Sequence, residues 1–194
     1  MQPWLIPPAG ACAEQVTRLH DVLARLETVR LVLRPATLED YPAWSEIMCG
    51  PRGDLVDGPW SARDAYLDFA QNVASWLLRG YGLWSIEDRA SGALLGFVAH
   101  AHEEGDPEAE LGYLLRDTAE GRGIATEASL AVRDYAFDTL GQDTLVCYID
   151  PANAGSKTVA RKLGGKRDAR AEAELSGTEV YRLMPQRDGM EVYA

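Results

Sequence analysis

The pattern of apolar and polar residues along this chain predicts a series of short strands. Residues 27–34 alternate in polarity, as a strand with one buried face does, and Pro35 ends that run. Two later runs flank the turn-forming residues 89–92 and therefore predict a hairpin. The predicted strands cover residues 27–34, 82–88, 94–100, 110–115, 144–149, 167–174 and 178–183.

Apolar residues recur every three or four positions in the segments between these strands, which predicts helices there. Thr37, Ser61 and Asn153 stand where a helix N-cap is expected, and Gly164 follows the last helix as a stop. The predicted helices cover residues 13–26, 38–48, 62–78, 124–140 and 154–163.

From residue 27 onward the order of elements is β-α-α-β-β-β-α-β-α-β-β, which predicts a single α/β domain (α+β, with a mixed sheet). We expect residues 1–26 to be an N-terminal extension with a helix, residues 27–185 to be the domain, and residues 186–194 to be a C-terminal tail. A role for the extension in forming a homodimer stays open.

Composition excludes one class of partner. The formal net charge of −11 argues against nucleic acid, because phosphate backbones bind basic surfaces. The same charge suits a cationic substrate such as an amine, which long-range attraction would draw in, and it also suits acidic residues that only keep the chain soluble.

The sequence contains no apolar run of about 18 residues, the length of a membrane span. Its N-terminal segment lacks the basic and apolar regions of a secretory signal. Cys12, Cys49 and Cys147 are far apart and have no metal-ligand spacing. We therefore expect a cytoplasmic protein with free thiols, no metal and no membrane partner.

A glycine-containing loop between a predicted strand and helix is the strongest single chemical signal. Gly121 and Gly123 allow the backbone to turn sharply and to approach a ligand closely. The helix that begins at Ile124 offers free N–H groups and a positive dipole end, which together with Thr126 would cradle a pyrophosphate. An ordinary strand-to-helix turn explains the same residues.

Several separated segments between residues 27 and 185 resemble one known family. In this order, they identify the chain as similar to the GNAT acyltransferase superfamily. Within it, the chain most resembles the branch that includes the ribosomal-protein N-terminal (alanine and serine) acetyltransferases. The segments are residues 27–34, 84–92, 95–97, 110–113, 121–128 and 153–164.

The resemblance implies acetyl-CoA as cosubstrate. It implies that the strands around Leu115 and Cys147 splay apart and that the pantetheine arm lies between them, where its amides satisfy unpaired backbone groups. A strand amide near Leu114 would stabilise the oxyanion that develops on the thioester. The implied cofactor-binding residues are Leu114, Leu115, Gly121, Arg122, Gly123, Ile124, Ala125, Thr126, Asn153 and Ser156.

The resemblance also implies roles on the last helix. Asn153 either contacts the pantetheine and holds the splay or serves only as a helix N-cap, and both can hold together. Ser156 corresponds to the position that protonates the departing thiolate, alone or with a water. Many members have a tyrosine four residues later, where this chain has Ala160.

Glu110 is the candidate that takes a proton from the incoming ammonium group, directly or through water, because an amine attacks only when neutral. Glu108, two residues earlier on the same strand face, is the rival. For each residue, a solvated edge carboxylate is the alternative.

The acceptor is predicted to bind near residues 50–59, where the family builds part of its acceptor pocket. Asp54 and Asp57 would recognise a cation, with Trp60 as an apolar or cation–π wall. A flexible polar linker is the competing interpretation.

The sequence thus predicts an N-acetyltransferase that moves acetyl from acetyl-CoA to a primary amine by direct attack in a ternary complex. The acceptor is either a protein N-terminus, which needs an open groove, or a small-molecule amine, which a closed acidic pocket would favour. A non-catalytic acyl-CoA-binding or sensing module is the alternative.

Overall fold

The computed structural model describes residues 2–56, 58, 60–175 and 177–186. Its strands are β1 (Leu26–Glu27), β2 (Leu31–Pro35), β3 (Leu83–Asp88), β4 (Leu94–Ala101), β5 (Glu110–Leu115), β6 (Leu145–Ile149), β7 (Lys166–Arg167) and β8 (Glu179–Leu183). They form one 8-stranded sheet in the order β1-β2-β3-β4-β5-β6-β8-β7. Among the described strands, only β5 and β6 pair in parallel. The predicted mixed α/β sheet is confirmed.

The helices lie on both faces of this sheet. In the described part of the chain they are α1 (Ala11–His20), α2 (Tyr41–Met48), α3 (Ala62–Arg79), α4 (Ile124–Asp134), α5 (Ala154–Lys162) and α6 (Ala169–Glu172). A π-helical turn, Tyr135–Thr139, extends α4.

The predicted N-caps form as expected. Ser61 Oγ accepts a hydrogen bond from Asp64 N at the start of α3. Asn153 Oδ1 accepts one from Ser156 N at 2.9 Å and begins α5. Thr37 and Asp40 form a reciprocal capping box ahead of α2.

Three predicted elements were wrong in their extent. The strand predicted at residues 167–174 is only two residues long, because Asp168 caps α6 by accepting hydrogen bonds from two backbone amides. The helix predicted at residues 13–26 ends at His20. The strand predicted at residues 27–34 is a β1–β2 hairpin, in which Leu26 faces Leu33.

Two clusters of buried side chains pack on opposite faces of the sheet. One cluster joins α4 and α5 to the sheet and contains Trp84, Ile124 and Ala160. The other joins α2 and α3 to the sheet and contains Trp44 and Phe97. Any ligand that passes through the sheet would therefore connect two separately packed layers.

The N-terminal segment packs against the domain. Leu23, Ala24 and Leu26 contact the α4–α5 side of the core. Trp84 Nε1 donates a hydrogen bond to Ala24 O at 2.8 Å. The proposed boundary at residue 26 stays a prediction, and residues 187–194 of the predicted tail lie outside the described residues. Within the described ranges, every helix is too short or too polar to cross a bilayer.

Candidate active site

The parallel strands β5 and β6 are paired at one end and separate at the other. Glu110 and Val146 are their register pair, and Val146 N donates to Ala109 O at 3.1 Å. Two residues further along, Tyr148 N donates to Glu110 Oε1 at 3.4 Å instead of to a strand carbonyl. The sheet is therefore open from this point, and the predicted splay is confirmed.

The backbone N–H and C=O groups of β5 alternate in direction along the strand, and this alternation determines which of them face the opening. Arg116 N donates to Leu95 O at 2.9 Å, so the amides of even-numbered residues point towards β4. Leu114 N is one of them and points towards β4, and the implied oxyanion donor, a strand amide near Leu114, stays a prediction. Among the described residues, the amides of Tyr113 and Leu115 face the opening without a partner on β6.

A cavity of about 470 Å³ passes through the opening and joins both faces of the sheet. It extends from the α2–α3 side, past the splayed strands, to the start of α5. Side chains with candidate chemistry line its whole length. They are Trp44, Trp60, Asp68, Glu103, Glu110, Tyr113, Asn153 and Ser156.

The glycine loop adopts the conformation that its residues predict. Gly121 and Gly123 have φ values of 67° and 77°, which favour glycine. The first intrahelical bond of α4 runs from Glu127 N to Gly123 O at 3.1 Å. The amides of Ile124, Ala125 and Thr126 therefore have no partner within the helix and are suited to an anion.

Arg30 holds this loop from the neighbouring hairpin. Its guanidinium donates to Arg122 O at 3.0 Å and forms an ion pair with Glu127 at 2.6 Å. Thr28 Oγ1 also donates to Glu127, at 2.6 Å. The N-terminal turn of α4 is thus fixed before any ligand binds.

Arg52 links the loop after α2 to the end of β5. It donates to Leu115 O at 3.1 Å and forms ion pairs with Asp117 and Glu120. The carboxylate of Glu120 is therefore paired with a cation rather than left facing an incoming phosphate.

Two hydroxyl groups lie at the α5 end of the cavity. Ser156 is the one that the resemblance implied, and Tyr113 is one that sequence reasoning missed. The Tyr113 hydroxyl is buried and lies beside the Ser156 side chain. Burial raises the pKa of Tyr113 to about 12, so this hydroxyl keeps its proton at neutral pH.

The two candidate carboxylates, Glu110 and Glu108, have different surroundings in the structure. Glu110 lines the cavity, and its carboxylate lies over Gly112, where an added Cβ would be 3.6 Å from Glu110 Oε1. Glu108 is held by Arg182 through two hydrogen bonds of 2.5 and 2.6 Å. Side-chain hydrogen bonds from Arg182 lower the pKa of Glu108, and this carboxylate is not among the residues that line the cavity.

The predicted acceptor residues are dispersed. Trp60 lines the cavity, and its Nε1 donates to Val56 O at 2.8 Å. Asp54 is exposed and does not line the cavity. Asp57 lies outside the described residues. The acceptor roles of both aspartates stay predictions.

Sequence reasoning missed four carboxylate residues that line the cavity, Asp68, Glu103, Asp106 and Asp150. Asp68 lies on the buried face of α3, with Ala65, Phe69 and Asn72. An aspartate at the apolar spacing of an amphipathic helix was the available signal, because a buried carboxylate is rare unless it is paired. Glu103 follows β4 and carried no comparable pattern.

Cysteine thiols and clusters of metal-ligating side chains are two further features of the described residues that bear on the chemistry. Burial raises the pKa of the Cys147 thiol, which disfavours the reactive thiolate at neutral pH. Cys12 and Cys49 are exposed and unpaired. Among the described residues, no group of three or more acidic, histidine or cysteine side chains could hold a metal ion.

Comparison with known proteins relates this site to acetyl transfer. A family model described as an acetyltransferase (GNAT) domain matches residues 30–166. The crystal structure of an acetyltransferase from Agrobacterium tumefaciens str. C58 has a TM-score of 0.81 and 38% sequence identity. That match covers 84% of this chain and 95% of the other.

Two other proteins are similar over smaller parts or at lower identity. YkkB from Bacillus subtilis (strain 168) is 36% identical over 90 residues, which are 44% of this chain and 52% of YkkB, about half of that curated relative's length. RimL, a ribosomal L7/L12 alpha-N-protein acetyltransferase solved in complex with coenzyme A, has a TM-score of 0.66 and 20% identity. Its match covers 83% of this chain and 98% of RimL. This last similarity concerns the fold alone.

Proposed function

The chain belongs to the GNAT acetyltransferase family, and from this premise we propose that it is an N-acetyltransferase acting on a primary amine. Acetyl-CoA is the donor, and the amine attacks its thioester directly in a ternary complex. The observation that carries the proposal is the opening between β5 and β6, with Glu110 at its edge and a cavity leading to it from each side.

The donor would bind along the opening. Its diphosphate suits the unpaired amides at the start of α4, between Gly121 and Thr126. The two amides of the pantetheine arm suit the backbone groups of β5 that have no partner on β6. Asn153 caps α5 beside this path. RimL, which shares the fold, was solved with coenzyme A.

In the acyl step, the amine nitrogen attacks the thioester carbon and the carbon–sulfur bond breaks. Glu110 would hold the incoming ammonium and accept its proton, directly or through water. The Tyr113 amide, which faces the opening, would donate to the carbonyl oxygen as its negative charge develops.

The thiolate that leaves needs a proton. Ser156 and Tyr113 both present hydroxyls at the α5 end of the cavity, where Ala160 leaves space. The Tyr113 hydroxyl is protonated at neutral pH and lies beside the Ser156 hydroxyl. We assign it the donation to sulfur, and Ser156 then returns a proton to it from solvent.

A direct mechanism agrees with the state of the cysteines. A covalent acetyl-enzyme would need a thiolate near the thioester, and Cys147 is the cysteine in the cavity wall. Its pKa is raised by burial, so the thiol stays protonated and is a poor nucleophile.

A panel of amines tests this proposal. Purified protein with acetyl-CoA is mixed with small amines and with peptides that have free N-termini, and release of the CoA thiol is followed. We expect turnover with at least one primary amine. Tight binding of acetyl-CoA without turnover for any amine would favour the binding or sensing module instead.

A further inference from the structure

A single arginine joins the loop after α2 to the segment that leads from β5 into α4. Arg52 lies in the α2–α3 loop, which we define as residues 49–61. Its guanidinium donates to Leu115 O at 3.1 Å and forms ion pairs with Asp117 and Glu120. One side chain therefore contacts three positions of the segment between β5 and the glycine loop.

These contacts lie near the place proposed for the donor. The carbonyl of Leu115 points the same way as its amide, and therefore towards the opening between β5 and β6. Asp117 begins the turn that follows β5. Glu120 directly precedes Gly121. Arg52 thus brings a positive charge to a segment that presents two carboxylates beside the amides suited to a diphosphate.

The α2–α3 loop also forms part of the cavity wall on the other face of the sheet. Val56 and Trp60 line the cavity. Trp60 Nε1 donates to Val56 O at 2.8 Å, and Trp60 N donates to Met48 O at 3.4 Å. These bonds join the wall to the loop and to the end of α2, so the position of Arg52 bears on the position of both side chains.

Close backbone packing next to Arg52 restricts the loop. Gly53 follows Arg52, and a Cβ on Gly53 would overlap Met48 O. Gly58 N donates to Gly53 O at 2.7 Å, and a Cβ on Gly58 would lie 2.5 Å from the same oxygen. Because parts of the loop touch with no space between them, we expect them to move as one unit.

The Arg52 bridge differs from an isolated surface ion pair, which contributes little because water screens the charges. Its side chain is 30% exposed, and its planar guanidinium meets two carboxylates and a carbonyl at once. Within the described residues, Asp117 and Glu120 form ion pairs with Arg52 alone. The ion pair of Arg116 with Glu46, at 3.1 Å, reaches α2 and not the loop.

We propose that Arg52 is a positioning residue that couples the α2–α3 wall of the cavity to the glycine loop. A diphosphate bound between Gly121 and Thr126 would fix the segment that anchors Arg52, and Arg52 would then hold Val56 and Trp60 in place for the acceptor. Such coupling is reciprocal, so an acceptor that packs on this wall would favour the donor in turn. The inference rests on the proposed function, because it concerns the same ternary complex.

Hydrogen–deuterium exchange of the α2–α3 loop, with and without CoA, tests the proposal in the absence of any acceptor. CoA is added at concentrations that calorimetry shows to saturate each protein. In the wild-type protein we expect CoA to slow exchange in peptides from this loop at least about fivefold, because an anchored loop opens less often. In Arg52→Gln, which removes the charge and the fork of donors, this slowing should disappear.

Two further variants serve as controls. Arg63→Gln removes an exposed arginine at the start of α3 and should retain the slowing seen in the wild type. Arg52→Lys keeps the charge but loses the planar fork, so it should retain part of the effect. The proposal is overturned if CoA protects the loop of Arg52→Gln as strongly as that of the wild type, or if CoA leaves exchange in the wild-type loop unchanged.

The dependence on CoA separates a positioning role from a purely structural one. An arginine that only stabilised the loop would hold it equally with and without CoA, so its loss would leave the CoA-induced slowing in place.

The same measurements distinguish this inference from the proposed function. Binding of CoA without any change in the α2–α3 loop refutes the coupling and leaves the N-acetyltransferase intact. Absence of CoA binding to the wild-type protein in calorimetry refutes the proposed function, and the coupling with it.

Discussion

Glu110 occupies the last position at which β5 and β6 are still paired, so in the proposed mechanism one residue would serve both structure and chemistry. Its backbone belongs to the register pair with Val146. Its side-chain carboxylate accepts a hydrogen bond from Tyr148 N. In a continuous parallel sheet, a backbone carbonyl of β5 would accept that bond. The carboxylate therefore sits at the edge of the opening, and its position is set by the sheet.

Replacing Glu110 by Gln tests the proton-transfer role. The amide cannot accept the proton of the ammonium, so we expect kcat to fall about 10²- to 10³-fold. Binding of acetyl-CoA, measured by calorimetry, should change little. The Glu104→Gln variant, which changes an exposed carboxylate, serves as control, and a Glu110→Gln enzyme with wild-type kcat would rule out this role.

The two hydroxyls at the α5 end make a second test. If Tyr113 protonates the thiolate, Tyr113→Phe should lower kcat about 10- to 100-fold, with a smaller loss for Ser156→Ala. A thioester with a more acidic leaving thiol should recover most of the activity of Tyr113→Phe. Equal, small effects of both substitutions would indicate that water supplies the proton.

Asp68 links the cavity to stability. Its folded-state pKa of about 7 lies above the ordinary 3.8, so its contribution to stability is present at low pH and is lost as the pH rises towards 7. The free energy of unfolding of Asp68→Asn, taken relative to that of the wild type, should therefore increase by about 2–3 kcal/mol between about pH 5 and about pH 8. Urea unfolding at both pH values measures this.

The Glu103→Gln background provides the control for that measurement. Removing the neighbouring charge leaves burial as the main cause of the raised pKa, so the pH-dependent gain should shrink but persist. An Asp68→Asn variant whose stability relative to wild type does not change with pH would show that the folded protein does not hold this proton.

At the residue scale, the sequence identified those residues whose positions depend on their neighbours along the chain. Asn153 is a helix cap, and Gly121 and Gly123 precede a helix, so their positions follow from their neighbours. Tyr113 and Glu103 acquire their surroundings only when distant strands come together, and no spacing along the chain reports that. The resemblance placed the oxyanion donor only near Leu114, because which strand amides face the opening depends on the register with the partner strand.

At the element scale, β4 contains an irregularity that sets the position of β5. The register with β3 shifts at Ile86 and Glu87, so Leu95 is an extra residue. Gly96 follows with φ at 155°. A Cβ there would lie 2.2 Å from Leu114 O and 2.8 Å from Leu115 Cα. The bulge therefore lets β4 approach the strand that borders the opening.

Gly96→Ala should lower the free energy of unfolding by about 2–4 kcal/mol, because the new methyl group meets backbone that cannot move aside. Displacement of β5 should also raise KM for acetyl-CoA. Gly92→Ala, at a turn where nothing lies within 4 Å of an added Cβ, is the matched control and should cost about 1 kcal/mol. Equal losses in the two variants would contradict this account of the bulge.

Most elements could be predicted because their apolar spacing and caps agree. The β3–β4 hairpin and β5 have both a clear pattern and turn residues at their ends. The strand predicted at residues 167–174 was wrong in its extent because Asp168 prefers to cap a helix. This local preference ends the strand after Arg167. The end of α1 at His20 was missed because Leu23 and Leu26 continue the apolar spacing while packing on the core from outside the helix.

At the scale of the whole molecule, the proposed function gives the sheet a donor side and an acceptor side. The start of α4 and the cap of α5 offer groups for a nucleotide thioester on one face. The carboxylates of α3 and of the segment after β4 lie on the other. The formal net charge of −11 adds long-range attraction for a cationic acceptor. In the proposed mechanism, both substrates would meet at the opening between β5 and β6.

A crystal structure of the protein soaked with acetyl-CoA tests this arrangement most directly. We expect the diphosphate within hydrogen-bonding distance of the amides between Gly121 and Thr126, the pantetheine arm between β5 and β6, and the thioester oxygen at the Tyr113 amide. Acetyl-CoA bound elsewhere, or β5 and β6 paired beyond Glu110 with no space between them, would contradict the account.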